Sequence, residues 1–143
     1  MDPHREVPYS DGFDALIGLK IDSIGDGVVR GRLAVRDELK QLAGLVHGGV
    51  YATIAESLAS NATAFAVLAD GRMAMGLSNQ TSFLRPITEG TIHAEATALH
   101  RGRTTWVWEV RCSDDRGRLC AVTRMTIAVR EIEGPLSAPP AAG

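Results

Sequence analysis

The sequence predicts an α+β domain in which an antiparallel sheet packs against one long helix. Three observations carry this reading. A single alanine-rich apolar run from Gly48 to about Leu68 keeps helical spacing, six shorter runs rich in branched residues are separated by turn signals, and no glycine-rich phosphate loop precedes a β–α–β crossover. The element order is therefore ββ, one long helix, then ββββ.

Residues 1–10 read as irregular, and Asp11 is placed to cap a short helix over Phe13, Leu16 and Ile17, which fall at helical spacing. Leu19 to Ile24 and Val28 to Val35 flank Gly25-Asp26-Gly27, a hairpin signal because glycine supplies the positive φ that such a turn needs. Residues 36–46 pass from polar to apolar without a clear period and deliver the chain to His47-Gly48-Gly49. In the helix that follows, Val50, Ile54, Leu58, Phe65 and Leu68 recur at helical intervals among alanines at 52, 55, 59, 62, 64, 66 and 69. So much alanine suits a helix wrapped closely by a sheet. After Asp70-Gly71 come Met73 to Leu84, Thr91 to His100, Thr104 to Ser113 and Leu119 to Glu131 as strands. Pro86 with Glu89-Gly90, Arg101-Gly102-Arg103 and Asp114-Asp115-Arg116-Gly117 are the turns between them. The end, GPLSAPPAAG at residues 134–143, reads as a disordered tail to a single domain over residues 1–133.

A chain of 143 residues suffices for one domain that buries roughly two thirds of its unfolded surface. Hydrophobic residues at 45% and charged ones at 22% are those of a soluble globular protein. The net charge of −2 and the scattered basic residues offer no footprint for nucleic acid or an anionic membrane surface. The start, MDPHREVPYS, lacks the basic, apolar and small-residue regions of a signal peptide, so a cytoplasmic location is expected. Val50 to Ala69 is long enough to span a bilayer, but Glu56, Ser57, Ser60, Asn61 and two threonines mark it as a buried soluble helix. Cys112 and Cys120 have neither zinc-site nor Cys-x-x-Cys spacing, and no metal site is expected.

Chemistry concentrates at the helix. Steps of three or four residues from Glu56 reach Thr53, Ser60 and Thr63, one polar stripe on an otherwise apolar element. A lone helix glutamate ordinarily faces water. This helix, however, carries no Lys or Arg and almost no other charge for a solvated face. Gly48 and Gly49 open it, where the first N–H groups have no intrahelical acceptor and the macrodipole is positive. The pair either shapes a tight entry turn or forms an oxyanion site, where one N–H is worth roughly 10²–10³ in rate. With Glu56 to attack or to deprotonate water, the set suits chemistry at a carbonyl. No Ser/His/Asp triad, HExxH or cysteine nucleophile competes.

The stretch QLAGLVHGGVYATIAESLAS at 41–60, with FLRPITEG at 83–90, LHRGRTTWVWEV at 99–110 and DDRGRLCAVTRMTIAV at 114–129, resembles a known family. It is similar to the hotdog-fold acyl-CoA thioesterases of the phenylacetate-pathway and hydroxybenzoyl-CoA type, near their enterobactin-proofreading and menaquinone-pathway members. The resemblance runs from about Asp14 to Val129. It implies a hotdog fold, a curved antiparallel sheet around one central helix.

It also implies roles for named residues. Glu56 is the nucleophile or general base, and the Gly48 N–H polarises the thioester carbonyl. Gln41 orients the thioester, Ser60 holds the attacking water or the carboxylate, and His47 hydrogen-bonds near the thioester. Arg101, Gly102, Arg103 and Thr104 touch the pantetheine or phosphates of CoA. Ser82 and Phe83 stand in the acyl pocket, where hydroxyaryl-preferring relatives can carry histidine, so aromatic and medium-chain acyl groups both stay open. The resemblance implies an acyl-CoA substrate, no separate cofactor because CoA is part of that substrate, and a site shared between subunits of at least a homodimer, with a homotetramer usual among relatives. Two alternatives stand beside it. One is a hotdog enoyl-CoA hydratase or acyl-carrier-protein dehydratase, which orders its histidine and carboxylate differently. The other is a non-catalytic acyl-CoA sensor, whose relatives carry a basic DNA-binding segment without counterpart here.

For the cysteines, a left-handed Gly117 in a three-residue loop pairs Asp114 with Arg118 and sets Cys112 opposite Cys120. Two reduced thiols packed side by side, without a catalytic part, are the expectation.

Overall fold

The computed structural model describes residues 12–133; the segment 1–10, Asp11 with its expected capping role, and the tail 134–143 lie outside the described residues. Helix α1 (Phe13–Ile17) follows Gly12, and Arg36 donates to the carbonyls of Leu16 and Ile17, which have no partner within so short a helix. Strands β1 (Leu19–Ile24) and β2 (Val28–Ala34) form the expected hairpin, with Gly27 at a φ of 75° and the Gly25 N–H bonded to the Val28 carbonyl. The aperiodic segment holds a single 3-10 turn over Asp37–Leu39 and a bridge between Lys40 and Val46. Helix α2 (Gly48–Val67) is followed by β3 (Arg72–Phe83), β4 (Thr91–Arg101), β5 (Thr105–Ser113) and β6 (Leu119–Glu131).

All six strands join one antiparallel sheet in the order β1-β2-β4-β5-β6-β3. Strand β3 leaves chain order and crosses to the far edge, where it pairs with β6 from Arg72↔Glu131 to Phe83↔Ala121. Strand β4 takes the place beside β2 that this leaves open. The result is the hotdog arrangement.

Alternation in the strands explains the core. Val29 and Leu33 of β2, Ile92, Ala94 and Ala96 of β4, Trp108, Val110 and Cys112 of β5, and Met125 and Ile127 of β6 face α2 and are buried. Ile54 and Leu58 of α2 are fully buried against them, each worth roughly 1.5–3 kcal/mol. Ala55, Ala59 and Ala62 are buried too, and their small size lets the sheet close on the helix. A helix apolar and long enough to cross a bilayer thus packs one face against the strands. The outer face of the sheet is polar, with Arg30 paired to Glu95 and Arg111 to Glu109.

Two expectations are corrected. The polar stripe divides: Glu56 is exposed, Thr53 and Ser60 are half-buried, and Thr63 is 0% exposed. Thr63 packs on β5, where its hydroxyl donates to the Ala59 carbonyl and accepts the Trp108 indole N–H. The Cys112–Cys120 opposition fails by one residue. Gly117 does adopt a φ of 73°, and the Asp114 N–H bonds to the Arg118 carbonyl. A bulge then makes Cys120 the extra residue, so that Cys112 faces Ala121 while Ser113 faces Leu119. Both thiols are free and buried. Burial pushes the Cys112 thiol up to about 12, with the nearby Cys120 adding to the effect.

Candidate active site

The residues singled out in the sequence fall at three stations along α2. At its N-terminus, His47 caps the helix: its Nδ1 accepts the Gly49 N–H at 2.9 Å, and its carbonyl accepts the Val50 N–H. The capping bond requires Nδ1 to be unprotonated, so the neutral ring carries its proton on Nε2. This leaves the Gly48 N–H, the first of the helix, without an intrahelical acceptor. Phe83, at the end of β3, leans on this spot so closely that a side chain on Gly48 would meet its ring at 2.9 Å. The Phe83 ring is 59% exposed and lies 6.1 Å from that of Tyr51, while Ser82 beside it is exposed as well.

Gln41 belongs to the same station. It sits in a tight loop in which the Gln41 N–H donates to the Leu45 carbonyl and the Gly44 N–H to the Gln41 carbonyl. Its side-chain oxygen accepts the Ala43 N–H at 2.6 Å. That bond orients the amide and leaves its NH₂ as the remaining donor.

The middle station holds Glu56, the only charged residue of α2, with Ser60 one turn on. Glu56 faces β3. A Cβ built on Gly76 would stand 3.5 Å from Glu56 Oε1 and 3.0 Å from the Met125 methyl. Asn79, two residues past the bulge that follows Gly76, donates to the Ala52 carbonyl at 2.9 Å and ties β3 to the helix between the first two stations. Sequence reasoning passed over Gly76 and Asn79. A glycine inside a strand was the available signal, because it marks a bulge or a close approach.

Arg101, Gly102, Arg103 and Thr104 form the third station, the β4–β5 turn at the C-terminal end of α2. Arg101 pairs with Asp26 and lies over Trp106, at the mouth of a cleft of about 410 Å³ that reaches Ala62, Phe65 and Trp108. The Arg103 carbonyl accepts from Arg72, at the start of β3.

The separations decide what one chain can do. Gly48 and Glu56 are eight residues apart on one helix, about 12 Å along its axis at 1.5 Å per residue. An oxyanion donor and an attacking group must each lie about 3 Å from the same carbonyl. One chain holds both groups at different levels. Strand β3 is also the sheet's outer edge beside Glu56, and Met73, Met75 and Leu77 on it are exposed. Among the described residues, no cluster of three His, Cys, Asp or Glu side chains is placed to hold a metal ion.

The family model of the thioesterase superfamily matches residues 43–121. Over 112 residues the chain is 43% identical to a candidate esterase of Mycobacterium tuberculosis, Rv1847, covering 76% of this chain and 79% of that protein. The solved structure of that protein superposes with a TM-score of 0.81 over 85% of this chain and 98% of the other. The thioesterase PA1618 of Pseudomonas aeruginosa, solved as a Gln→Ala variant, is 33% identical with a TM-score of 0.80, covering 83% of this chain and 86% of that one. SAV0944 of Staphylococcus aureus, solved as a Glu→Ala variant, is 27% identical with a TM-score of 0.81, over 85% of this chain and 100% of the other. The same protein, described there as a thioesterase enzyme, was solved as a Gln→Ala variant too. With a family model spanning more than half of its length and a relative 43% identical, this chain belongs to the thioesterase superfamily.

Proposed function

We propose that this chain hydrolyses the thioester of an aromatic or medium-chain acyl-CoA to the free acid and CoA. The observation that carries the reading is Glu56: a single exposed carboxylate on a core helix, set beside a strand position that has no side chain. A second observation supports it. The glutamine and the glutamate replaced in the SAV0944 variants stand fifteen positions apart, the spacing of Gln41 and Glu56 here.

In the proposed reaction the Glu56 carboxylate takes a proton from water as the water oxygen bonds to the thioester carbon. The Gly48 N–H holds the oxyanion that forms, and Gln41 and Ser60 hold the reacting groups in line. The C–S bond then breaks, and the sulfur takes the proton from Glu56. The same carboxylate reaches the products by direct attack too, through an anhydride that water opens.

The 12 Å between Gly48 and Glu56 supports a working homodimer. A second copy, placed by a two-fold axis against the free edge of β3, runs its α2 antiparallel to the first. Glu56 of one copy and the partner subunit's Gly48 then address one carbonyl. The exposed Met73, Met75 and Leu77 supply apolar surface for that contact. The β4–β5 turn, at the end of α2 about 16 Å beyond Glu56, suits the distal part of CoA better than the reacting carbon.

The test is release of free thiol from aryl, short-, medium- and long-chain acyl-CoAs. Turnover fastest on an aryl or medium-chain thioester is expected, and no release from any of them overturns the reading.

A further inference from the structure

Gly76 is a glycine that its own backbone does not require. It lies inside β3, pairs with Ile127 immediately before the bulge at Leu77, and is absent from the positive-φ positions, so no left-handed backbone reserves the place for glycine. A glycine there weakens the strand, since it adds backbone entropy to the unfolded chain and packs nothing. The reason for it is therefore sought in the space it leaves.

That space is bounded by Glu56 and Met125. The point at which a Cβ would stand is 3.5 Å from Glu56 Oε1, and its other close neighbour is the terminal methyl of Met125, at 3.0 Å. A reacting atom, whether the oxygen of an attacking water or the carbon under attack, must sit about 3–3.5 Å from the group that acts on it. A Cβ at position 76 would stand in van der Waals contact with the carboxylate oxygen and cover that side of it, whereas glycine leaves the side open to a reacting atom approaching over the backbone. The far wall, the Met125 side chain, is 2% exposed and apolar, which keeps bulk water from one side.

We propose that Gly76 is a positioning residue for thioester hydrolysis, leaving one side of Glu56 Oε1 uncovered so that the attacking water or the thioester carbon approaches it over the bare Gly76 backbone. The proposal rests on the thioesterase reading above. A side chain at position 76 covers that side of the carboxylate or drives it out of line, and it also makes the Met125 methyl shift by a few tenths of an ångström.

The proposal separates activity from stability. Gly76→Ala removes unfolded-state entropy, and with the shift it asks of the Met125 methyl set against that gain the thermal midpoint is expected to move by only a few degrees. At the same time kcat on the best acyl-CoA should fall by about 10²-fold or more, with KM within a few-fold, because binding of CoA does not involve this site. A merely structural glycine predicts the reverse pattern, lost stability with turnover kept.

A second variant divides the two neighbours. Met125→Leu in the Gly76→Ala background withdraws the terminal methyl at little change in volume. The loss of kcat should persist. Recovery to near the wild-type rate would assign the effect to crowding of Met125 and overturn the proposal, as would a Gly76→Ala protein with wild-type kcat. A wild-type chain inactive on every acyl-CoA overturns the thioesterase reading and this proposal with it, whereas an active wild type with an equally active Gly76→Ala protein overturns this proposal alone.

Discussion

Trp108 donates its indole N–H to Thr63 Oγ1 at 2.9 Å, and both residues are essentially inaccessible to water. The bond joins α2 to the middle of β5, 45 residues away in sequence, and the Thr63 hydroxyl in turn donates to the Ala59 carbonyl. Helix and sheet are thereby locked in one rotation of α2, the rotation that turns Glu56 towards β3.

Thr63→Val keeps the shape and removes the acceptor. The Trp108 N–H is then buried without a partner, and stability should fall by about 1–3 kcal/mol in a denaturant titration. Adding Trp108→Phe removes the orphaned donor, so the double variant should lose less than the sum of the two single losses. Strict additivity would show that the bond contributes nothing.

Glu56→Gln should lower kcat by at least about 10³ on the best acyl-CoA, since it removes the attacking or base group while leaving the oxyanion donor. Ser60→Ala should cost about 10–10², the loss of one positioning hydrogen bond. A folded Glu56→Gln protein with most of its turnover would sink the mechanism. Equal losses in the two variants would move the nucleophile to Ser60.

Gly48→Pro tests the donor. Gly48 is the first helical residue and His47 before it has φ −63° and ψ 134°, a conformation that precedes proline without strain. The exposed Phe83 ring has room to move aside. The helix should therefore form, yet kcat should fall by roughly 10²–10³ for want of the N–H. If the site is shared between two copies, mixing and refolding Glu56→Gln with Gly48→Pro chains should restore about a quarter of wild-type activity, because half of the random dimers then hold one intact site of two. No recovery from a mixture shown to exchange subunits would place both groups in one chain.

The buried thiol of Cys112 predicts a pH dependence. Its value in the folded state, about 12, lies above the 9.0 of an unperturbed thiol, so the unfolded chain gives up this proton first. The contribution to stability is complete below about pH 9 and is lost as pH rises from there towards 12. Tyr51, also pushed up to about 12 by burial, acts in the same direction from about 10 upward. Urea midpoints measured from pH 8 to 10.5 should fall for the wild type and fall less steeply for Cys112→Ala. Cys112→Ala with Cys120→Ala should keep near wild-type turnover while losing some stability. A well-folded double variant without turnover would implicate a thiol in the chemistry.

Much of this molecule is legible in its sequence. Strand β1, the β1–β2 turn at Gly25-Asp26-Gly27, the start of α2 at His47-Gly48-Gly49, and the limits of β4, β5 and β6 to within a residue all follow from signals spanning a few positions. Turn glycines, the alternation of strands and helical spacing act through hydrogen bonds and side-chain contacts between near neighbours. Glu56 is legible for the same reason, as the one charge in an apolar helical run. What only the tertiary structure decided involves residues far apart. The crossing of β3 to the edge beside β6 sets Gly76 against Glu56 and Phe83 against Gly48. The rotation of α2 hides Thr63 under Trp108 although it shares a helical stripe with Glu56, and a one-residue bulge moves Cys120 out of register with Cys112. None of these has a local period, because each is settled by how two surfaces distant in sequence fit once the sheet has closed around the helix. The 12 Å between the two ends of the candidate site belongs with them, a spacing of eight residues that becomes a separation only when the run is a straight helix.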